Sequence, residues 1–140
     1  MKDVEVTLIT DGAGFAGLQT DWQDLMPRAA KSSVFMSWEW QFTWWQHYGQ
    51  GQALRLLVAR RGDCVVGILP LYLQRQTVLR LIPVRILRNV GTGGDTAPDD
   101  LDALIDAGCQ DAVAASLVQA VFDCRRDWDL LRLAVLYFEM

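Results

Sequence analysis

A glycine-containing segment is the first pattern in the sequence that could bind a ligand. The run Arg88-Asn89-Val90-Gly91-Thr92-Gly93 places two glycines at fixed spacing after an arginine. Such glycines let backbone amides approach a phosphate at a helix N-terminus, and arginine adds a charge-assisted contact. Asp95 would put a negative charge beside that phosphate. Arg88, Gly91 and Gly93 are therefore cofactor-binding candidates, with a plain glycine turn as the alternative.

Other reactive side chains are few. His47 is the sole histidine, and without a visible partner it predicts a structural or exposed ring more readily than a general base. Cys64, Cys109 and Cys124 are odd in number and lack CxxC spacing, which favours free thiols, and Cys64 has no base nearby in sequence to make it a nucleophile. No HExxH, GxSxG, Walker-type or zinc spacing occurs. We therefore assign no catalytic residue and expect no metal.

Positive charge is concentrated in the middle of the chain. Residues 51–90 hold seven arginines and one acidic residue, although the whole chain has a net charge of −4. The arginines are Arg55, Arg60, Arg61, Arg75, Arg80, Arg85 and Arg88. They predict either contact with a phosphorylated ligand or pairing with acidic residues elsewhere in the chain. The overall acidity disfavours nucleic acid as a partner.

Length and composition predict one globular domain over residues 1–140. The chain has 140 residues, 51% of them hydrophobic, with 13 basic and 17 acidic side chains. That apolar content excludes disorder, and the length suits a single core. No run approaches the roughly 18 apolar residues of a membrane span, and the N-terminus lacks the apolar core of a secretory signal. We expect a cytoplasmic protein.

Hydropathy periods place these residues on a mixed α/β framework. Strands are predicted over residues 4–8, 53–61, 64–73, 77–90 and 128–138, and helices over 17–26, 38–48 and 109–124, the last with a start favoured by Asp99 and Asp100. Gly62 and Asp63 form the turn of a hairpin. The order implies a mixed, mostly antiparallel sheet flanked by helices. An apolar last strand suggests that the fold is incomplete at its C-terminus.

The helix over residues 38–48 has an unusually wide aromatic face. Its aromatic side chains cover an arc of roughly 200°, whereas a core-facing stripe covers about 100°. Part of this arc needs a second surface. Packing within the domain is one interpretation. The other is an interaction module that binds a partner domain or chain through Trp40, Trp44 and Tyr48.

The chain resembles a known family. Phe35-Met36-Ser37-Trp38-Glu39-Trp40 leading to Trp44-Trp45, then Val66-Gly67-Ile68-Leu69-Pro70-Leu71 and the segment Leu87 to Asp95, are similar to the N-terminal half of bacterial GNAT-related acetyltransferases of the cellulose-biosynthesis type. The likeness covers residues 15–135, and the element order resembles the GNAT core up to its fifth strand. Family members resemble two GNAT-like halves in tandem.

The resemblance implies a GNAT-like fold and an acyltransferase. An acetyl-CoA or other acyl-CoA would donate an acyl group to an amine substrate, and the acyl-CoA site is expected in the second half of such proteins. Arg88, Gly91 and Gly93 match the RxxGxG turn with which GNAT-type enzymes bind the CoA pyrophosphate. The chain is thus expected to be an N-terminal part of such an enzyme, and the resemblance does not imply activity of this part in isolation.

Overall fold

The computed structural model describes residues 3–92 and 101–133. Its helices and strands are β1 (Val4–Ile9), α1 (Gly12–Gly17), α2 (Gln19–Leu25), α3 (Trp38–Tyr48), β2 (Ala53–Arg61), β3 (Cys64–Val78), β4 (Ile82–Asn89), β5 (Leu104–Ile105), α4 (Gln110–Asp123) and β6 (Leu130–Arg132). The predicted order of strands and helices recurs, with α1 and β5 added to it.

The strands form one sheet in the order β1-β2-β3-β4-β6, and β5 pairs with β3. All the pairs are antiparallel except β4 with β6, which is parallel. Helices α1–α3 pack on one face of the sheet and α4 packs on the other. The prediction of a mixed, mostly antiparallel sheet flanked by helices is therefore confirmed.

Side-chain caps mark the first turns of two helices, α1 and α3. The Ser37 hydroxyl accepts a hydrogen bond from the Trp40 amide at 3.3 Å, so α3 begins as the sequence predicts. The Asp11 carboxylate accepts from the Gly14 amide at 2.7 Å and starts α1 in the same way. Helix α1 was not predicted because three of its six residues are glycines, which disfavour helix interiors.

Two apolar cores lie on opposite faces of the sheet. The core under α1–α3 contains large side chains that are completely or almost completely buried, among them Phe15, Trp22, Leu25, Leu56 and Ile68. The core under α4 contains Leu57, Leu69, Leu71, Val113, Leu117 and Val121. Such burial stabilises the fold by roughly 25 cal/mol per Å² of apolar surface removed from water. The alternating side chains of β2 and β3 thus support both layers.

The prediction of one extended segment from Thr77 to Val90 is correct over Ile82–Asn89, which forms β4, and wrong in its continuity, since Thr77 and Val78 belong to β3. The chain turns at residues 79–81, so β3 and β4 form a second hairpin in which Thr77 lies opposite Pro83. Leu79 and Arg80 adopt positive φ angles of 54° and 60° in this turn. Neither residue type favours that conformation, and the sequence therefore carries no turn signal here.

Two boundaries near the C-terminus also differ. No helix from Asp99 or Asp100 continues into residues 101–105, because 101–103 form no regular element and Leu104–Ile105 form β5, and α4 begins at Gln110. The pairing of β5 with β3 competes with helix formation at these positions. The strand predicted over residues 128–138 is present as β6 over Leu130–Arg132. Its part from residue 134 onward lies outside the described residues, as does the predicted incompleteness of the C-terminus.

Candidate functional site

The turn that follows β4 brings the predicted arginine and the first predicted glycine together. Arg88 donates from Nη1 to the Gln74 side chain at 2.8 Å and from Nε to the Thr92 hydroxyl at 3.2 Å. The Tyr72 hydroxyl donates to the Thr92 carbonyl at 2.6 Å. The Thr92 amide and hydroxyl both donate to the Asn89 carbonyl. Side chains of β3 and β4 thus hold the turn from both sides.

Gly91 is required in this turn for two reasons. Its φ of 101° is a conformation that side-chain-bearing residues rarely adopt. A Cβ at this position would also lie 2.7 Å from the indole ring of Trp40, which is closer than atoms can approach. The glycine therefore lets α3 pack against the end of β4. This packing role exists beside any role in ligand binding.

The described part of the turn does not fit a diphosphate group. The Thr92 amide is occupied within the turn, and two donors of the Arg88 guanidinium are occupied by Gln74 and Thr92. Helix α4 begins only at Gln110, after β5 and a 3-10 turn, so the glycines do not open directly onto its N-terminus. Gly93, like Asp95, lies outside the described residues. Cofactor binding by Arg88, Gly91 and Gly93 stays a prediction.

A break in the edge of the sheet adjoins this turn. β4 pairs with the outer half of β3. This pairing ends where the Val90 amide donates a hydrogen bond to the Pro70 carbonyl at 3.0 Å. The same edge of β3 is occupied again by β5, whose Leu104 lies opposite Ile68. Residues 91–92 and 101–103, which follow β4 and precede β5, lie outside the strands. Within residues 3–92 and 101–133, no strand is paired with Leu69 on this edge.

A cleft of about 620 Å³ lies beside the break, on the face of the sheet that carries α4. Its walls include Leu69 from β3, Leu117 and Val118 from α4, and Leu131 from β6. Lys31, Asp102, Gln110 and Asp111 also line it. This volume lies within the range of about 300 to 1,000 Å³ that is typical of small-molecule sites. The cleft can hold an apolar group and offers polar contacts from its walls.

Two titratable groups near the break have shifted pKa values. Burial raises the pKa of the Asp102 carboxyl, although the Ala103 amide and the charge of Lys31 oppose that shift. Burial also raises the pKa of the Tyr72 phenol against the opposing effects of Arg88 and Thr92. Tyr72 therefore stays protonated at neutral pH and donates to Thr92. Sequence patterns missed Asp102 because its neighbours in the cleft are distant in the chain.

The remaining candidate residues form no metal-ligand cluster with one another in the described residues. The exposed His47 ring places Nδ1 2.8 Å from the Thr43 carbonyl, one turn earlier in α3. All three cysteines are free. Of the seven central arginines, Arg85 is the one that meets a carboxylate within ion-pair distance in the described ranges, at Asp129. No group of three or more potential metal ligands occurs in those ranges.

The aromatic face of α3 finds its second surface inside the domain. Trp44 is buried in the core and packs against Tyr48 and Tyr72, while Trp40 meets Phe35 edge to face. The predicted partner surface therefore loses Trp44, which is 5% exposed, and retains Tyr48 as its one exposed member. Among the helices of the described residues, none is long and apolar enough to cross a bilayer.

Comparisons with known proteins give a limited result. No protein-family model and no curated protein matches the sequence. Among solved structures, the chain is similar to the crystal structure of a GNAT family acetyltransferase from Staphylococcus aureus subsp. aureus USA300_TCH1516, with 11% identity and a TM-score of 0.49. That alignment covers 100% of this chain and 94% of the other. A likeness of this size carries no argument about activity.

Proposed function

We propose that the chain is the N-terminal part of a GNAT-like N-acyltransferase, which transfers an acyl group from acyl-CoA to an amine when the protein is complete. The main support for this proposal is the gap in strand pairing between β4 and β5 along the edge of β3, which lies beside the apolar cleft. The resemblance of the sequence to the GNAT-related family supplies the chemistry. The proposal assigns the cleft to the acyl end of the thioester.

The cleft has properties suited to this assignment. An edge of β3 without a strand neighbour at Leu69 can pair with an amide-containing chain, in the way that an added strand pairs with a sheet edge. The apolar walls from Leu117, Val118 and Leu131 suit an acyl group. Burial of an acyl chain there would stabilise the complex by about 0.8 kcal/mol for each CH₂ removed from water.

The charges of the cleft favour an amine as acceptor. Asp102 and Asp111 line it together with Lys31, so a cationic amine is attracted more strongly than an anionic acceptor. A thioester supplies an activated acyl carbon when it is bound, and the nucleophile is the neutral amine. The raised pKa of the Asp102 carboxyl makes it a better acceptor for the proton that the amine must lose.

The diphosphate of CoA has no equivalent site in the described residues. The turn at Arg88 is closed by its own hydrogen bonds, and the acidic groups of the cleft repel phosphate. The proposal therefore leaves that part of acyl-CoA to a second GNAT-like half, as the family resemblance implies. We assign no reaction step to the diphosphate or to Arg88.

Thermal unfolding with and without acetyl-CoA tests the assignment. A ligand that binds only the folded chain raises its melting temperature, and the tryptophans report the transition. We expect acetyl-CoA to raise the melting temperature of the wild type and to have no effect on Val118→Trp, which fills the cleft. Ala115→Trp is the matched control, because Ala115 is exposed on the same helix and does not line the cleft.

The outcomes separate the two functions considered. A melting-temperature shift that persists in Val118→Trp would show that the acyl end does not bind in the cleft. No shift in the wild type would contradict acyl binding by this chain, and dimerisation that depends on concentration would then favour the interaction module. A free CoA control distinguishes recognition of the acyl group from recognition of the carrier.

A further inference from the structure

The end of the β3–β4 hairpin exposes four apolar side chains within five residues. We define the hairpin tip as residues 78–82, Val-Leu-Arg-Leu-Ile. Leu79 is 81% exposed and Leu81 is 85% exposed, and Val78 and Ile82 are exposed beside them. Isolated exposed apolar residues are ordinary on protein surfaces, whereas a contiguous group marks an interaction site. The hairpin tip is therefore a candidate interaction surface.

The backbone of the tip is strained as well as exposed. Leu79 and Arg80 occupy the left-handed region, where a side chain costs of the order of 1–3 kcal/mol per residue. Turns of this kind favour Asn-Gly. Because neither side chain is buried, packing within the chain does not repay the strain. Strain of this kind concentrates at binding and functional sites.

Positive charge surrounds the apolar tip. Arg80 lies within it, and Arg75 lies directly opposite Arg85 on the paired strand. Like charges at directly opposed positions disfavour strand pairing. No acidic residue occurs between Asp63 and Asp95. Asp129 pairs with Arg85, and Asp127 also acts on Arg85, so Arg75 and Arg80 supply the positive charge of the hairpin end. The hairpin end is thus locally cationic on a chain of net charge −4.

We propose that the hairpin tip docks on an anionic lipid surface. The apolar residues lie at the extreme end, and Arg75 is set back by four residues, about 13 Å at the rise of a β-strand. That order matches a bilayer surface, where phosphate groups lie above the acyl boundary, and interfacial segments bury their apolar face by about 5–10 Å. Arg80 can extend its guanidinium back toward the phosphates. This proposal does not depend on the proposed acyltransferase activity.

Vesicle flotation tests this proposal with the full 140-residue chain. The probes are vesicles of phosphatidylcholine alone and vesicles that also contain phosphatidylglycerol. We expect binding to the anionic vesicles only, with a loss at high salt because each Lys or Arg near such a surface contributes electrostatically. The double variant Leu79→Ser/Leu81→Ser should reduce the bound fraction at least tenfold. Arg75→Gln/Arg80→Gln should also reduce it, and mainly at low salt.

A matched variant controls for general loss of hydrophobicity. Leu8→Ser/Val34→Ser also removes two exposed apolar side chains, away from the tip, and should bind like the wild type. Both variants must show a cooperative unfolding transition, which their exposure leads us to expect. Should the serine variant fail to fold, the arginine variant alone tests the site.

Three results would overturn the proposal. The first is an absence of binding to vesicles of either composition. The second is binding that the tip variants leave unchanged. The third is binding to polyglutamate with no binding to vesicles, which would assign the tip to an acidic protein instead. Each result can be read without knowledge of the enzyme's substrate.

Discussion

The two hairpin turns of the sheet are made from opposite kinds of residues. The β2–β3 hairpin turns through Gly62 and Asp63, and the glycine has a φ of 63°. The β3–β4 hairpin turns through Leu79 and Arg80, which have almost the same φ angles with bulky side chains. Glycine reaches this region at little steric cost, whereas leucine and arginine do so only under strain. A left-handed φ is thus relaxed at the glycine of one turn and strained at the leucine and the arginine of the other.

The bodies of the hairpins explain why the strain is tolerated. Between β2 and β3, residues such as Leu56 and Ile68 are completely buried. The outer part of the β3–β4 hairpin projects beyond both cores, and residues 75–83 are all exposed. Local distortion there disturbs no core packing. A surface hairpin can therefore hold an unfavourable turn without loss of the fold, provided its base is anchored.

The largest expected effect comes from the same kind of truncation made in each hairpin. Leu56→Ala removes a side chain that is fully buried and should lower the free energy of unfolding by about 2–5 kcal/mol. Leu81→Ala removes an exposed side chain and should change it by less than about 0.5 kcal/mol. Urea denaturation followed by tryptophan fluorescence measures both. Equal losses would show that the tip packs as tightly as the hairpin base.

Exchanging the residue types of the two turns should have an intermediate effect on the free energy of unfolding, with opposite signs in the two hairpins. Leu79→Asn/Arg80→Gly supplies the preferred residues and should raise the free energy of unfolding by about 1–2 kcal/mol. Gly62→Leu imposes the strained type of residue on the other hairpin and should lower it by a similar amount. The denaturation midpoints should move while the slopes stay constant. A loss of stability in the first variant would mean that the tip is not strained.

The smallest effect concerns the ion pair beside the β3–β4 hairpin. Hydrogen bonds from the Arg85 side chain and amide lower the pKa of the Asp129 carboxyl. Stabilisation from a carboxyl with a lowered pKa is present above its unfolded pKa and is lost as the pH falls through the folded one. Asp129→Asn should therefore be slightly less stable than wild type at neutral pH. The difference should vanish in acid below the usual pKa range of aspartate.

Paired denaturation curves at neutral and acidic pH measure this difference. Asp123→Asn is a suitable control, since Asp123 lies at the end of α4 with its carboxylate hydrogen-bonded to Gln119 instead of to an arginine. A difference between wild type and Asp129→Asn that persists in acid would exclude the ion pair as its cause.

Local signals were sufficient for much of the fold. The period-2 pattern predicts β1, and Gly62-Asp63 predicts the first hairpin. Ser37 and Gly49 predict the ends of α3, which the structure confirms. These elements obey preferences that a few neighbouring residues determine. The sequence alone was therefore sufficient to predict the mixed sheet with its flanking helices.

The rest depends on contacts between distant parts of the chain. The turn at Leu79 and Arg80 contradicts local preferences, so no pattern could indicate it. The cleft brings Lys31, Leu69 and Asp102 together from three separate segments. The motif at Arg88 was visible in the sequence, but its hydrogen bonds to Gln74 and Thr92 were not. Spacing along the chain could predict the strand that holds the site, but not its geometry.

The parallel pairing of β6 with β4 has a consequence for the order of folding. Leu130 lies opposite Ile86, so this pairing closes a loop that contains all of α4. Antiparallel hairpins close much shorter loops and meet a smaller entropic barrier. β6 should therefore join the sheet after the β2–β3–β4 meander has formed. In native-state hydrogen exchange, the amides of its three exposed residues should exchange through local opening. This opening should need less free energy than the unfolding of the meander.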